Sequence, residues 1–209
     1  MAGGIEALAG TAARLGRAAR RRKPAARALP SLYFLTDPDR TPDPARVMRR
    51  LPGGAAVIFR PFGRPDALRD AAALRALAHS QGLVFLVGAD AGLAARLAAD
   101  GVHLPERLMG LAPRLRRGHP RWLITGAAHG PRALARAARL GLDAAVLSVV
   151  FASQSPSAAR AMGPRRFAAL ARAARLPVIA LGGVDDRTAR RLIGSGAHGL
   201  AAIGGLERP

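Results

Sequence analysis

Leu176-Pro177-Val178-Ile179-Ala180-Leu181-Gly182-Gly183-Val184 is an apolar run that stops at a pair of glycines, with Asp185 and Asp186 immediately after it. The run is short, uncharged and rich in branched residues, which is the pattern of a strand buried on both faces. Thr188–Gly194 then reads as a helix behind an acidic cap. Adjacent glycines at the end of such a strand leave backbone N–H groups uncovered by side chains, and a phosphate can approach them closely. About twenty residues on, Gly199-Leu200-Ala201-Ala202-Ile203 repeats the strand, and Gly204-Gly205 repeats the glycine pair.

Working back from this repeat, the chain alternates. Strands are predicted at 32–36, 55–59, 83–87, 101–104, 122–125, 144–150, 177–181 and 199–203. Helical patterns lie between them at 45–50, 65–79, 93–99, 131–140, 164–175 and 186–193. The stretch 105–117 is too irregular for a clear helix. Alternation of this kind implies a parallel sheet with right-handed crossovers. Eight such units in a chain of 209 residues suit a closed (β/α)8 TIM barrel of one domain. An open doubly wound sheet is the alternative, but no G-x-G-x-x-G follows the first strand. Chemistry in such a barrel belongs at the C-terminal strand ends, where the last two loops form a phosphate site.

Composition narrows the function classes. There is no cysteine, so disulfides, thiolate metal sites and a cysteine nucleophile are excluded. No apolar run is long enough to span a membrane, and the chain reads as cytoplasmic. The net charge of +20 suggests a nucleic-acid partner. Against that, Lys23 is the one lysine among 33 basic residues, the arginines are dispersed, and aromatic residues do not interleave with them. Solvated helix faces explain the charge more simply. Residues 1–30 read as a basic extension separate from a barrel spanning 31–209. Ile5, Leu8, Ala12 and Leu15 would share one face of a helix, and Arg17, Arg20, Arg21, Arg22 and Lys23 follow as a basic block. On this reading its deletion leaves the barrel unchanged.

Several stretches together resemble the thiamin phosphate synthase/TenI superfamily. They are Leu32-Tyr33-Phe34-Leu35-Thr36-Asp37, Ala99-Asp100-Gly101-Val102-His103-Leu104, Ala128-His129, Pro177–Val184 and Gly196–Ile203, in the family's order and spacing. The resemblance implies a transferase that joins hydroxymethylpyrimidine diphosphate to a thiazole phosphate and releases diphosphate. It implies that Gly182, Gly183, Gly204 and the N–H of Ile203 hold the thiazole phosphate. It also implies that Arg60 neutralises the diphosphate while Ser153 and Ser155 hydrogen-bond it. Homodimers are common in the family.

The diphosphate half departs from the family pattern. Of the usual Gln-x-Arg-x-Lys at the end of the second strand only Arg60 remains. The usual Asn-Asp after the third strand is Gly88-Ala89, with Asp90 one place late. Asp90 is read first as a helix cap and second as a candidate Mg ligand. The other expected carboxylate falls at Leu108, with Glu106 offset from it. Mg is therefore expected only if the synthase reading holds, and Arg40, Arg60, Arg64 and Arg160 are the residues that could replace it. Two alternatives accompany the synthase reading. One is a TenI-like thiazole tautomerase with His129 as acid/base, and the other is a non-catalytic phosphate-binding barrel.

Overall fold

The computed structural model describes residues 4–22, 28–63, 67–153 and 160–206. Eight parallel strands close into a barrel in sequence order: β1 (Leu32–Leu35), β2 (Ala56–Phe59), β3 (Val84–Gly88), β4 (Gly101–Leu104), β5 (Leu123–Ala128), β6 (Ala144–Ser148), β7 (Val178–Leu181) and β8 (Gly199–Ala202). The ring closes where Leu32, Tyr33 and Phe34 of β1 lie opposite Leu200, Ala201 and Ala202 of β8. Closure removes the sheet edges that an open sheet would expose.

The strands carry two buried layers because their side chains alternate across the sheet. Tyr33, Leu35, Ile58, Leu86, Val146 and Ile179 fill the barrel interior. Phe34, Val57, Phe85, Val102, Ile124 and Leu147 point outward to the helices. Those helices are α2 (Pro44–Met48), α3 (Ala67–Ser80), α4 (Ala91–Arg96), α5 (Ala112–Gly118), α6 (Pro131–Arg139), α7 (Gly163–Ala173) and α8 (Asp186–Ala189). The irregular stretch ahead of α5 is a 3-10 helix, Glu106–Leu111.

The N-terminal segment differs from the separable tail expected of it. Gly4–Arg22 forms a helix, α1, against α8, β8 and β1. Ile5, Leu8, Ala12 and Leu15 are all buried and belong to the same core cluster as the outer faces of the strands. Among the described residues β8 is followed by only one 3-10 turn, Gly204–Leu206. The groove between β8 and β1 would otherwise lack a covering helix, and α1 fills it from the other end of the chain. The approach is close at Gly16, where an added Cβ would lie 2.9 Å from Ser31 Cβ. An amphipathic pattern shows that one face is buried, but not which groove buries it.

Leu8 is wholly buried, so Leu8→Ala is expected to lower the unfolding free energy by about 2–5 kcal/mol. Removal of residues 1–22 should lower the thermal midpoint further by baring the β8–β1 groove. Guanidinium and thermal unfolding check both. A truncated chain as stable as the full one would restore the separable tail.

Candidate active site

A cleft of ≈ 1250 Å³ opens at the C-terminal ends of the strands. Arg60, His129, Ser153, Gly182, Gly183, Ile203 and Gly204 all line it. The residues singled out from the sequence are thus brought to one place, although they span most of the chain. Ser155 and Arg64 lie outside the described residues. Arg160 is exposed and does not line the cleft, whereas Arg40 does.

Arg60 is held by the end of β1. Its Nε donates to the Thr36 carbonyl at 2.7 Å, and its Nη2 donates to Asp37 Oδ2 at 3.0 Å. The Arg60 backbone N–H donates to Thr36 Oγ1 at 3.0 Å. The side chains of Arg60 and Asp37 are 25% and 16% exposed, so the pair is partly shielded from solvent screening. Burial lowers the Arg60 pKa, Asp37 opposes that shift, and the charge of Arg40 adds to it. Asp37 is fixed in turn: its Oδ1 accepts from the N–H groups of Asp39 and Arg40. The stretch Thr36-Asp37 therefore orients a cation, a role that the sequence pattern alone did not reveal.

The glycine loops lie side by side. A Cβ on Gly205 would strike the Val184 carbonyl oxygen, so the loops after β7 and β8 are in contact. Gly182 and Gly183 have φ of 101° and 61°, backbone conformations that glycine adopts without strain. Their missing side chains face the loop after β6: a Cβ on Gly182 would lie 2.6 Å from Val149 Cγ1, and one on Gly183 2.8 Å from Phe151 Cβ. Loop packing thus adds a steric reason for glycine to the one expected from anion approach. Among the described residues no acceptor takes the N–H of Gly183 or Ile203. Both residues line the cleft, as an anion-binding loop requires.

Three histidines have three different settings. His129 follows β5, is exposed, and has Nδ1 3.2 Å from Ser148 Oγ at the end of β6. His103 lies in β4, next to its last residue, is buried, and has Nδ1 2.9 Å from Thr125 Oγ1. Burial, helped by the charge of Arg60, pushes the His103 pKa down to about 4. His103 is therefore neutral near pH 7. His198 is buried at the start of β8 and faces the Leu29 carbonyl, away from the cleft.

The carboxylates do not fit a divalent ion, which needs several oxygen ligands around one point. Asp90, the candidate metal ligand, does not line the cleft. It is the N-cap of α4, with Oδ1 accepting from the Leu93 N–H at 2.8 Å. Asp185 lines the cleft but caps α8 through the N–H groups of Arg187 and Thr188. Among the described residues no group of three His, Asp or Glu side chains could hold a metal. Asp100 of the quoted motif sits at the other end of the barrel, where its Oδ2 accepts from the Phe85 N–H at 2.7 Å. Arg107 and Arg191 line the cleft as well, from the 3-10 helix after β4 and from the segment after α8. They were missed because nothing separates them in sequence from the many surface arginines.

A family model described as thiamine monophosphate synthase matches residues 32–206. The chain belongs to the thiamine monophosphate synthase family. Its relatives include a thiamine-phosphate synthase of Alcanivorax borkumensis, 37% identical over 191 residues that cover 85% of each chain. Another, from Chromobacterium violaceum, is 36% identical over 84% of this chain and 87% of its own. Among solved structures, a thiamine phosphate pyrophosphorylase from Pyrococcus furiosus superposes with a TM-score of 0.71. It is 24% identical and covers 83% of this chain and 85% of that one, which supports the fold. The family-model match begins at residue 32, after α1.

The depressed His103 pKa has a consequence for stability. Between about 4 and 6.5 the unfolded chain binds a proton that the folded chain does not. The contribution of His103 is therefore complete above pH 6.5 and is lost as pH falls towards 4. Unfolding free energy measured from pH 4 to pH 7 should rise less steeply in His103→Gln than in the wild type.

Proposed function

We propose that the protein is a transferase of the thiamine-phosphate synthase type. It joins the pyrimidine of hydroxymethylpyrimidine diphosphate to the ring nitrogen of a thiazole phosphate. The carbon–oxygen bond to diphosphate breaks and the electron pair leaves with diphosphate. The thiazole nitrogen lone pair then forms the new carbon–nitrogen bond. The observation that carries this reading is that one cleft joins an oriented cation, Arg60, to two glycine loops in contact with one another. Its volume exceeds what one small ligand needs.

Each part of the cleft has a task in this reaction. Negative charge grows on the departing diphosphate, and a cation already fixed in place stabilises it without reorganising. Arg60 is such a cation, because Thr36 and Asp37 set the plane of its guanidinium. The Gly182-Gly183 and Gly204 loops hold the thiazole phosphate through backbone N–H groups. Ser153 lines the same cleft. No proton has to leave when the carbon–nitrogen bond forms, so His129 needs no acid/base role here. We assign it, with Ser148, to holding a ligand by hydrogen bonding. The tautomerase alternative rested on His129 as acid/base, and the relatives named above, thiamine-phosphate synthases, do not favour it.

The test is formation of thiamin phosphate and diphosphate from the two substrates by the full chain, supplied with Mg2+. Arg60→Met is expected to lower turnover by about 10²–10³, the loss typical of removing a fixed charge-stabilising donor. His129→Gln should cost about tenfold or less, as loss of one hydrogen bond does. No product from a folded wild-type chain would overturn the proposal. A His129→Gln loss as deep as that of Arg60→Met would return the acid/base role to His129.

A further inference from the structure

We propose, on the basis of the transferase reading above, that guanidinium groups and no divalent cation hold the diphosphate, Arg60 from the end of β2 and Arg40 from the side of the β8 glycine loop. The first support is where Arg60 runs. A Cβ on Gly88, at the end of β3, would lie 3.3 Å from Arg60 Cγ and 3.1 Å from the Phe59 carbonyl oxygen. The Arg60 stem therefore fills the space into which a side chain from that strand end would project. Ala89 follows with a φ of 65°, and its N–H donates to the His103 carbonyl at 2.9 Å. The backbone then delivers Asp90 to the N-terminus of α4, not to the cleft. A cation from the end of β2 fills the side-chain space at Gly88, and Ala89, where the acidic residue is expected, offers no oxygen ligand.

The second support is the neighbourhood of that cation. Arg40 Nη2 lies 3.8 Å from where a Gly204 Cβ would be, so Arg40 reaches from the β1 loop to the β8 glycine loop. Its charge is near enough to Arg60 to act on it. Two like charges held together in a partly buried place repel each other, and an anion between them relieves the repulsion. Among the described residues Nη1 of Arg60 has no hydrogen-bond partner, while Nε and Nη2 are fixed by β1. Arg107 and Arg191 line the same cleft. Asp185 is the one carboxylate among the described residues that line it, and its Oδ1 already serves the α8 cap. The ligand that fits is a diphosphate, whose adjacent oxygens match guanidinium forks.

Inorganic diphosphate is the probe, titrated calorimetrically into the full chain in EDTA and again in millimolar Mg2+. The inference predicts saturable binding in EDTA that is no tighter in Mg2+. It also predicts weakening of about tenfold or more in Arg40→Met and in Arg60→Met. Monophosphate should bind more weakly than diphosphate. Binding that appears only with Mg2+, binding that both substitutions leave unchanged, or no binding in either buffer would each overturn it. Arg60→Met leaves Asp37 without its ion pair and can unfold the loop; Arg40→Met breaks no such pair and then carries the test. Metal-free diphosphate binding without thiamin phosphate formation would refute the transferase reading and leave this inference standing. Mg2+-dependent turnover with no metal-free binding would do the reverse.

Discussion

The pairing of β8 with β1 is the constraint on which the molecule depends. Eight strands joined by the other seven pairings would still be an open sheet with two unpaired edges. The register that places Leu200 beside Leu32 and Ala202 beside Phe34 converts it into a ring. Gly199 makes that register attainable, because a Cβ there would collide with the Ser31 backbone. The outer face of the seam is then covered by α1, whose four apolar residues complete the outer core. The cover comes from the start of the chain, so the two ends of the fold stabilise each other.

Closure also makes the site. Residues 40 and 204 lie at opposite ends of the barrel sequence, yet the Arg40 guanidinium reaches the Gly204 loop because β1 and β8 are neighbours. Arg60 comes from β2, one strand further round, and takes its orientation from Thr36 and Asp37 of the β1 end. A cation anchored to a strand end has its geometry set by the fold itself. The neutral, buried His103 beneath it adds no competing charge.

The family pattern and the local chemistry agree on one half of the cleft and part ways on the other. The glycine loops after β7 and β8 are present, in contact, and held to glycine by steric need. At the ends of β2 to β4 the acidic positions are gone, and Asp90 and Asp185 are tied up as helix caps. A helix cap and a metal ligand ask for the same carboxylate lone pairs. The balance of charge in the cleft passes to arginine.

The local pattern of residues determined the eight strands and their order, while β5 runs to Ala128 rather than 125 and β6 stops at Ser148 rather than 150. Buried parallel strands are near-continuous apolar runs, and glycine pairs mark their turns. It therefore placed Arg60, His129, Ser153 and the glycine loops at strand ends, and the fold did the rest. What only the tertiary structure decided is which groups meet. Periodicity showed that α1 has an apolar face but not that β8 and β1 lie beneath it. It showed arginines on every helix but not that Arg107 and Arg191 turn to the cleft. It allowed Asp90 to cap or to ligate, and the backbone turn at Ala89 chose the cap. Local propensity acts over a few residues, whereas these choices rest on contacts between strand ends far apart in the chain, which exist only once the ring has closed.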